Sequence, residues 1–168
     1  MPDTWSLHPQ LDTDTMPVGD LSLCRVLAIN DADYPWLVLV PRRVKHDPEK
    51  WEPVFGKDHA SSYVTEIADL GGDAAVLMDE ILQASRVLKE VTRCDKLNIA
   101  AIGNVVPQLH VHIVARWIND PLWPKPVWGA ATPRPGDAMA FARFLAAMGD
   151  RLGIAEANLI AAAAKEQQ

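Results

Sequence analysis

In the stretch VVPQLHVHIVAR, residues 105–116, Gln108, His110 and His112 recur at every second position of an otherwise apolar run. Successive side chains of a strand point to opposite faces, so these three share one face while Leu109, Val111 and Ile113 share the other. A histidine is mostly neutral at pH 7 and then has a lone pair for a metal or an electrophile. Three uses of such a row are open. The histidines can decorate a sheet face and bond to neighbours or water. They can offer two imidazoles to one zinc ion, which needs a third ligand from His8, His46, His59 or an acid, none at a telling spacing. Or one histidine attacks an electrophile while its neighbour steadies the charge that develops.

The elements that must hold this row follow from the hydrophobic pattern. LSLCRVLAIN (21–30) and WLVLVP (36–41) read as two strands joined by the turn-forming NDADYP, hence an antiparallel hairpin. The polar tract at 44–62 is expected to be a surface insertion. In GGDAAVLMDEILQASRVLKEVTR, the positions Ala75, Leu77, Met78, Ile81, Leu82, Ser85, Leu88 and Val91 form one helical stripe, with Asp73 where an N-cap belongs. This helix is expected to lie across the sheet. KLNIAAIGN and VVPQLHVHIVARW predict two more strands around a Gly-Asn turn, with Pro107 at a strand beginning or edge. A tract with three tryptophans and five prolines follows, and a C-terminal helical extension is expected over 136–165. One domain spans 1–168.

Composition narrows the function classes. The chain has 168 residues, 49% hydrophobic and 23% charged, with a formal net charge of -6 and a pI near 5.3. This acidity argues against a general grip on a nucleic acid polymer, whose affinity comes largely from Lys and Arg on phosphates, but leaves small phosphorylated ligands open. Cys24 and Cys94 are too few for a disulfide framework and not spaced as a zinc ribbon, so two ordinary buried thiols are expected. The N-terminus lacks the basic and apolar regions of a secretory signal, and no apolar run approaches a membrane span. A cytoplasmic protein with no membrane association follows as the expectation.

PQLHVHIVAR resembles the HxHxHxx signature of the histidine triad (HIT) family, with Gln108 in the first triad position. LAINDADYPWLVLVPRR resembles the family's first hairpin, KLNIAAIGNVVPQLHVH its asparagine-bearing strand, glycine turn and triad strand, and WPKPVWG the tryptophan-proline segment of its hydrolase branch. The resemblance covers Leu21–Trp128 with 44–62 set aside. It implies an α+β fold, an antiparallel sheet of about five strands with a crossing helix, and a homodimer formed through paired sheets and helices. It also implies hydrolysis or transfer of nucleoside monophosphate groups through a covalent nucleotidyl-histidine, on a phosphoramidate, a dinucleoside polyphosphate or a similar small nucleotide; no cofactor and no metal are expected, with a zinc site as a distant third reading. Such an intermediate divides one hard step into two easier ones.

Carried over by position, His110 is the nucleophile and His112 the donor to the α-phosphate. Gln108 can hydrogen-bond a phosphoryl or leaving-group oxygen, but an amide cannot deliver a proton. Asn30 matches the group that holds ribose hydroxyls, Asn98 an amide supporting the site, and Asn104 a donor near the phosphate. Arg116 is a candidate for neutralising phosphate and Trp123 for closing over the nucleotide, with Trp128 beside it. Arg42 and Arg43 are expected to be solvated. Val44 and Val105 stand where the family often has a histidine and a hydroxyl, respectively. With Gln108 these departures leave two outcomes, an enzyme of altered substrate or mechanism, or a nucleotide-binding module with weakened turnover.

Overall fold

The computed structural model describes residues 5–44, 63–130 and 132–154. Five strands form one antiparallel sheet: β1 (Met16–Asp20), β2 (Cys24–Ile29), β3 (Trp36–Pro41), β4 (Lys96–Ala101) and β5 (Val111–Arg116), in the order β1-β2-β3-β5-β4. Helix α1 (Pro9–Asp14) precedes the sheet, α2 (Asp73–Thr92) connects β3 to β4 after a short 3-10 turn at Ile67–Leu70, and α3 (Ala138–Leu152) follows β5. The expected hairpin is β2 and β3, paired in register from Cys24 opposite Pro41 to Ile29 opposite Trp36. The fold begins earlier than Leu21. Helix α1 and the edge strand β1, a short run broken by Pro17 and Gly19, carry no periodicity long enough to declare them.

Each face of the sheet buries its own apolar cluster. Val26, Leu37, Leu39, Val111 and Ile113 pack against Leu77, Ile81, Ala84 and Leu88 of α2, with Met148 and Leu152 of α3 extending the layer. The opposite face, which carries His112, is covered rather than open. Leu27, Trp36, Val38 and Val114 lie under Trp5, Leu7 and Leu11 from the N-terminal segment and under Leu122, Val127 and Trp128 from the tract after β5. The N-terminal segment with α1 and the tract after β5 thus do there what α2 and α3 do on the other side.

Several sequence expectations change in detail. Gly72 occupies the N-cap of α2 without a side-chain bond, and Asp73 is the first helical residue. Its carboxylate takes two hydrogen bonds from Arg43, so neither residue is simply solvated. Arg42 likewise donates to the carbonyls of Leu21 and Ser22. Met78 and Leu82 are 53% and 47% exposed, off the buried stripe of α2. The triad strand begins only at Val111, so Pro107 lies in the preceding loop. The α3 helix ends at Leu152, and residues 155–168 of the expected extension lie outside the described residues, as do 45–62 of the expected insertion. Val44 forms a single antiparallel bridge to Tyr63 across that gap.

Candidate active site

The chemistry of the row is set by what each ring nitrogen touches. His110, buried just before β5, lies 2.7 Å through Nδ1 from the carbonyl of Gln108. A carbonyl only accepts, so Nδ1 carries the proton and Nε2 of the neutral ring keeps its lone pair. His112 has the opposite arrangement. Its Nδ1 is 3.0 Å from the indole nitrogen of Trp36, which only donates, so the proton of the neutral ring sits on Nε2. The two rings meet edge to face with centroids 4.9 Å apart. Burial, reinforced by the neighbouring His110, pushes the His112 pKa down to about 4. In their neutral forms the pair therefore couples a lone pair on His110 with an N–H donor on His112.

The strand register produces this pairing. Val38 stands opposite His112 and Trp36 opposite Val114, so Trp36 and His112 are diagonal neighbours on one face. Trp128 packs edge-on against both Trp36 and His112, at 6.1 and 6.0 Å. An open cleft of about 140 Å³ lies beside His110, lined also by Thr65, Glu66, Ala101, Gly103, Asn104 and Leu109. Leu109 donates its backbone N–H to the Val64 carbonyl at 2.7 Å, which fastens the segment bearing Thr65 and Glu66 along this loop. At Gly103 a Cβ would come within 3.3 Å of the Val106 carbonyl oxygen, so the turn carrying Asn104 is drawn tight around a residue with no side chain.

The Gln108 side chain is committed to the N-terminal segment. Its Oε1 accepts the backbone N–H of His8 at 2.8 Å and its Nε2 donates to the Ser6 carbonyl at 3.0 Å, in a side chain only 2% exposed. The amide clamps the N-terminal segment to the sheet, and its orientation follows from these partners instead of from a phosphate. His8, which carried no sequence motif, thereby lies beside the row, where its Nδ1 accepts the Gln10 N–H and caps α1.

The other sequence candidates divide. Asn104 shares the cleft with His110. Asn30 is in the β2–β3 turn, where its Oδ1 accepts the Gly136 N–H and pins the approach to α3. Asn98 is opposite Val114, and its Oδ1 accepts from Arg116. Arg116 is 1% exposed and makes a bidentate pair with Asp120 while also donating to Asn98 and the Lys125 carbonyl. Four of its N–H groups are thus committed, and it sits four residues along the strand from His112, roughly 13 Å at ordinary strand rise. Its place is a structural knot under the tract after β5. Trp123 lies over this knot, its ring centroid 5.9 Å from the Arg116 guanidinium carbon, and Trp128, farther along the tract, packs against His112. Nothing in the sequence marks Thr65 or Glu66 as neighbours of His110; only the crossing of chain segments brings them there.

No three His, Cys, Asp or Glu side chains converge as a metal-binding group among the described residues. Cys24 and Cys94 are both buried and free, and burial pushes the Cys24 thiol pKa up, with the Glu80 carboxylate adding to the rise.

With the fold and this histidine pair described, the chain's relatives place it in a class. The HIT domain model matches residues 10–117. A histidine triad protein from Bradyrhizobium japonicum is 48% identical, with a TM-score of 0.75 over 89% of this chain and 99% of that one. Histidine triad proteins from Sinorhizobium meliloti (35% identity, TM-score 0.73, 88% and 97% covered) and Marinobacter aquaeolei (36%, 0.74, 90% and 98%) are similar over the same extent. No curated protein matches the chain. The chain belongs to the HIT domain family, whose members generally bind, hydrolyse or transfer nucleotides.

Proposed function

We propose that the protein is a nucleotidyl hydrolase or transferase acting on a small P-linked nucleotide, a nucleoside phosphoramidate or dinucleoside polyphosphate, through a covalent nucleotidyl-His110 intermediate. The observation that carries this reading is the opposed protonation of the two rings, His110 Nδ1 held by the Gln108 carbonyl and His112 Nδ1 held by the Trp36 indole. In the first step the Nε2 lone pair of His110 forms a bond to phosphorus as the bond to the leaving group breaks. Charge on the non-bridging oxygens is met by the His112 Nε2–H, a donor already oriented before the reaction begins. Asn104 supplies an amide at the same cleft. In the second step water or another acceptor displaces the imidazole and regenerates the lone pair.

Gln108 in the first triad position contributes through its backbone carbonyl and its clamp on residues 6–8, and no proton passes through it. In this reading Asn30, Asn98, Arg116 and Trp123 hold the turns and the tract around the site and do not touch phosphate. The working form is a cytoplasmic homodimer joined along β4 and α2, where Ile99, Met78 and Leu82 expose 48%, 53% and 47% of their surface. No described helix is long and apolar enough to cross a membrane.

The test is kinetic. With the 4-nitrophenyl esters of adenosine and guanosine 5′-monophosphate as probes, His110→Ala abolishes nitrophenolate release, whereas His112→Ala lowers it by roughly 10²- to 10³-fold, the usual consequence of losing one oriented donor to a developing oxyanion. Release by His110→Ala at the wild-type rate would refute the assignment.

A further inference from the structure

We infer that Glu66 is the general base of the second step, taking a proton from the water that releases the nucleotide from His110. This inference rests on the nucleotidyl-His110 reading above.

Hydrolysis of the intermediate is accelerated by a group that accepts a proton from water beside His110, and the groups nearest the reaction are otherwise occupied. The Nε2 atom of His110 is bonded to phosphorus at that stage. The neutral His112 ring carries its proton on Nε2 and has no lone pair to spare, because Nδ1 is taken by Trp36 at 3.0 Å. Gln108 is an amide with both ends bonded to the N-terminal segment. Of the described residues that line the cleft with His110, Glu66 is the remaining titratable one, since Thr65 and Asn104 carry neutral groups.

Its position is built rather than incidental. The 2.7 Å bond from the Leu109 N–H to the Val64 carbonyl holds residue 64 against the residue adjoining His110, and Glu66 follows two positions later. Glu66 is the N-cap residue of the 3-10 turn at Ile67–Leu70, yet its side chain makes no capping bond. Glu66 therefore lines the cleft as a water-exposed residue whose side chain is not engaged in capping its own turn.

The step balances without a co-reactant. The water oxygen forms a bond to phosphorus while the phosphorus–Nε2 bond breaks, and that electron pair returns to Nε2 of His110. One water proton passes to the Glu66 carboxylate and then to solvent. The nucleoside monophosphate departs, and His110 is again neutral with its proton on Nδ1. A positioned general base contributes roughly 10²- to 10⁴-fold to such a step.

The test separates the two steps with the same nitrophenyl esters, whose leaving group departs without a proton. Glu66→Gln is expected to give a stoichiometric burst of nitrophenolate at the wild-type rate, then steady turnover reduced at least ~10²-fold. Intact-mass analysis of an alkaline quench then finds the adduct accumulated on the variant, and Glu66→Asp retains intermediate turnover. Steady turnover of Glu66→Gln equal to wild type would overturn the role of Glu66 while leaving the His110 intermediate standing. A parallel fall of burst and turnover would also overturn it, since the carboxylate would then act before the water step. If wild type itself forms neither product nor adduct, the underlying His110 reading fails, and this inference with it.

Discussion

At the scale of single residues, the site is governed by two hydrogen bonds that choose tautomers. A histidine pair without fixed partners would populate several protonation states, only some of which join a lone pair to a donor. The Gln108 carbonyl and the Trp36 indole remove that freedom. Trp36→Phe keeps the ring in the apolar layer and deletes only the N–H. It should lower kcat by roughly 3- to 10-fold, the equivalent of one ordinary hydrogen bond, with KM little changed. A matched fall of kcat and rise of KM would point to disrupted packing instead. The histidine row itself was legible, because alternation puts Gln108, His110 and His112 on one face and the apolar residues on the other. The part of Gln108 was not legible. Its partners lie 100 and 102 positions away in the chain, and no local pattern reveals that an amide is spent on a distant backbone. Trp36 was hidden for a similar reason, since its contact with His112 depends on the register between β3 and β5.

At the scale of elements, the tract after β5 is organised by one buried ion pair. Asp120 accepts from Nε and Nη2 of Arg116 and from the backbone N–H groups of Trp117 and Leu122, so a polar knot fixes a segment of little regular structure. Removing one partner leaves the other charge buried without compensation. Asp120→Ala should cost about 3–5 kcal/mol, a fall of roughly 10 °C in Tm, and replacing Arg116 with Met in the same chain should restore much of it. Thermal melts of the single and double variants measure this, and a melt of Asp120→Ala indistinguishable from wild type would remove the knot from the account of stability. The hairpin β2–β3, helix α2 and the start of α3 were readable from apolar periodicity and turn residues. The N-terminal helix and β1 were not, because six- and five-residue elements carry too few repeats. The stripe of α2 was drawn too wide for a related reason. Met78 and Leu82 are apolar at helical spacing yet exposed, and spacing alone does not distinguish burial in this chain from burial against another.

At the scale of the whole molecule, the exposed apolar side chains and the pH dependence of stability give two further expectations. Ile99 lies on the edge strand β4 and on the same face as α2, since it pairs with Ile113 of the core. Ile99→Lys should convert the proposed homodimer to a monomer, read as a halved mass by light scattering; an unchanged mass would move the interface elsewhere. The His112 imidazole stays neutral in the fold down to a pKa of about 4, whereas an unfolded histidine takes up its proton near 6.5. The unfolded chain therefore binds more protons between those values, and stability falls as the pH drops from 6.5 to 4, by up to ~3 kcal/mol. Asp120 contributes in a separate, lower window. Hydrogen bonds from Arg116 hold its carboxyl below 3.8, so the stability it provides persists above that value and is lost only as the pH falls through the lowered one. Denaturant melts across the acid range should show both declines, and His112→Gln should flatten only the upper one.

The most direct measurement is the mass of the intact protein after brief mixing with the nitrophenyl ester of a nucleoside monophosphate, quenched in parallel with alkali and with acid. A nucleotidyl-histidine is a phosphoramidate, stable in alkali and labile in acid. The prediction is one added nucleoside monophosphate group in the alkaline quench, absent after acid, and mapped to His110 by fragmentation. Product formed at a steady rate with no adduct in either quench, or an adduct on another residue, would contradict the nucleophilic role of His110.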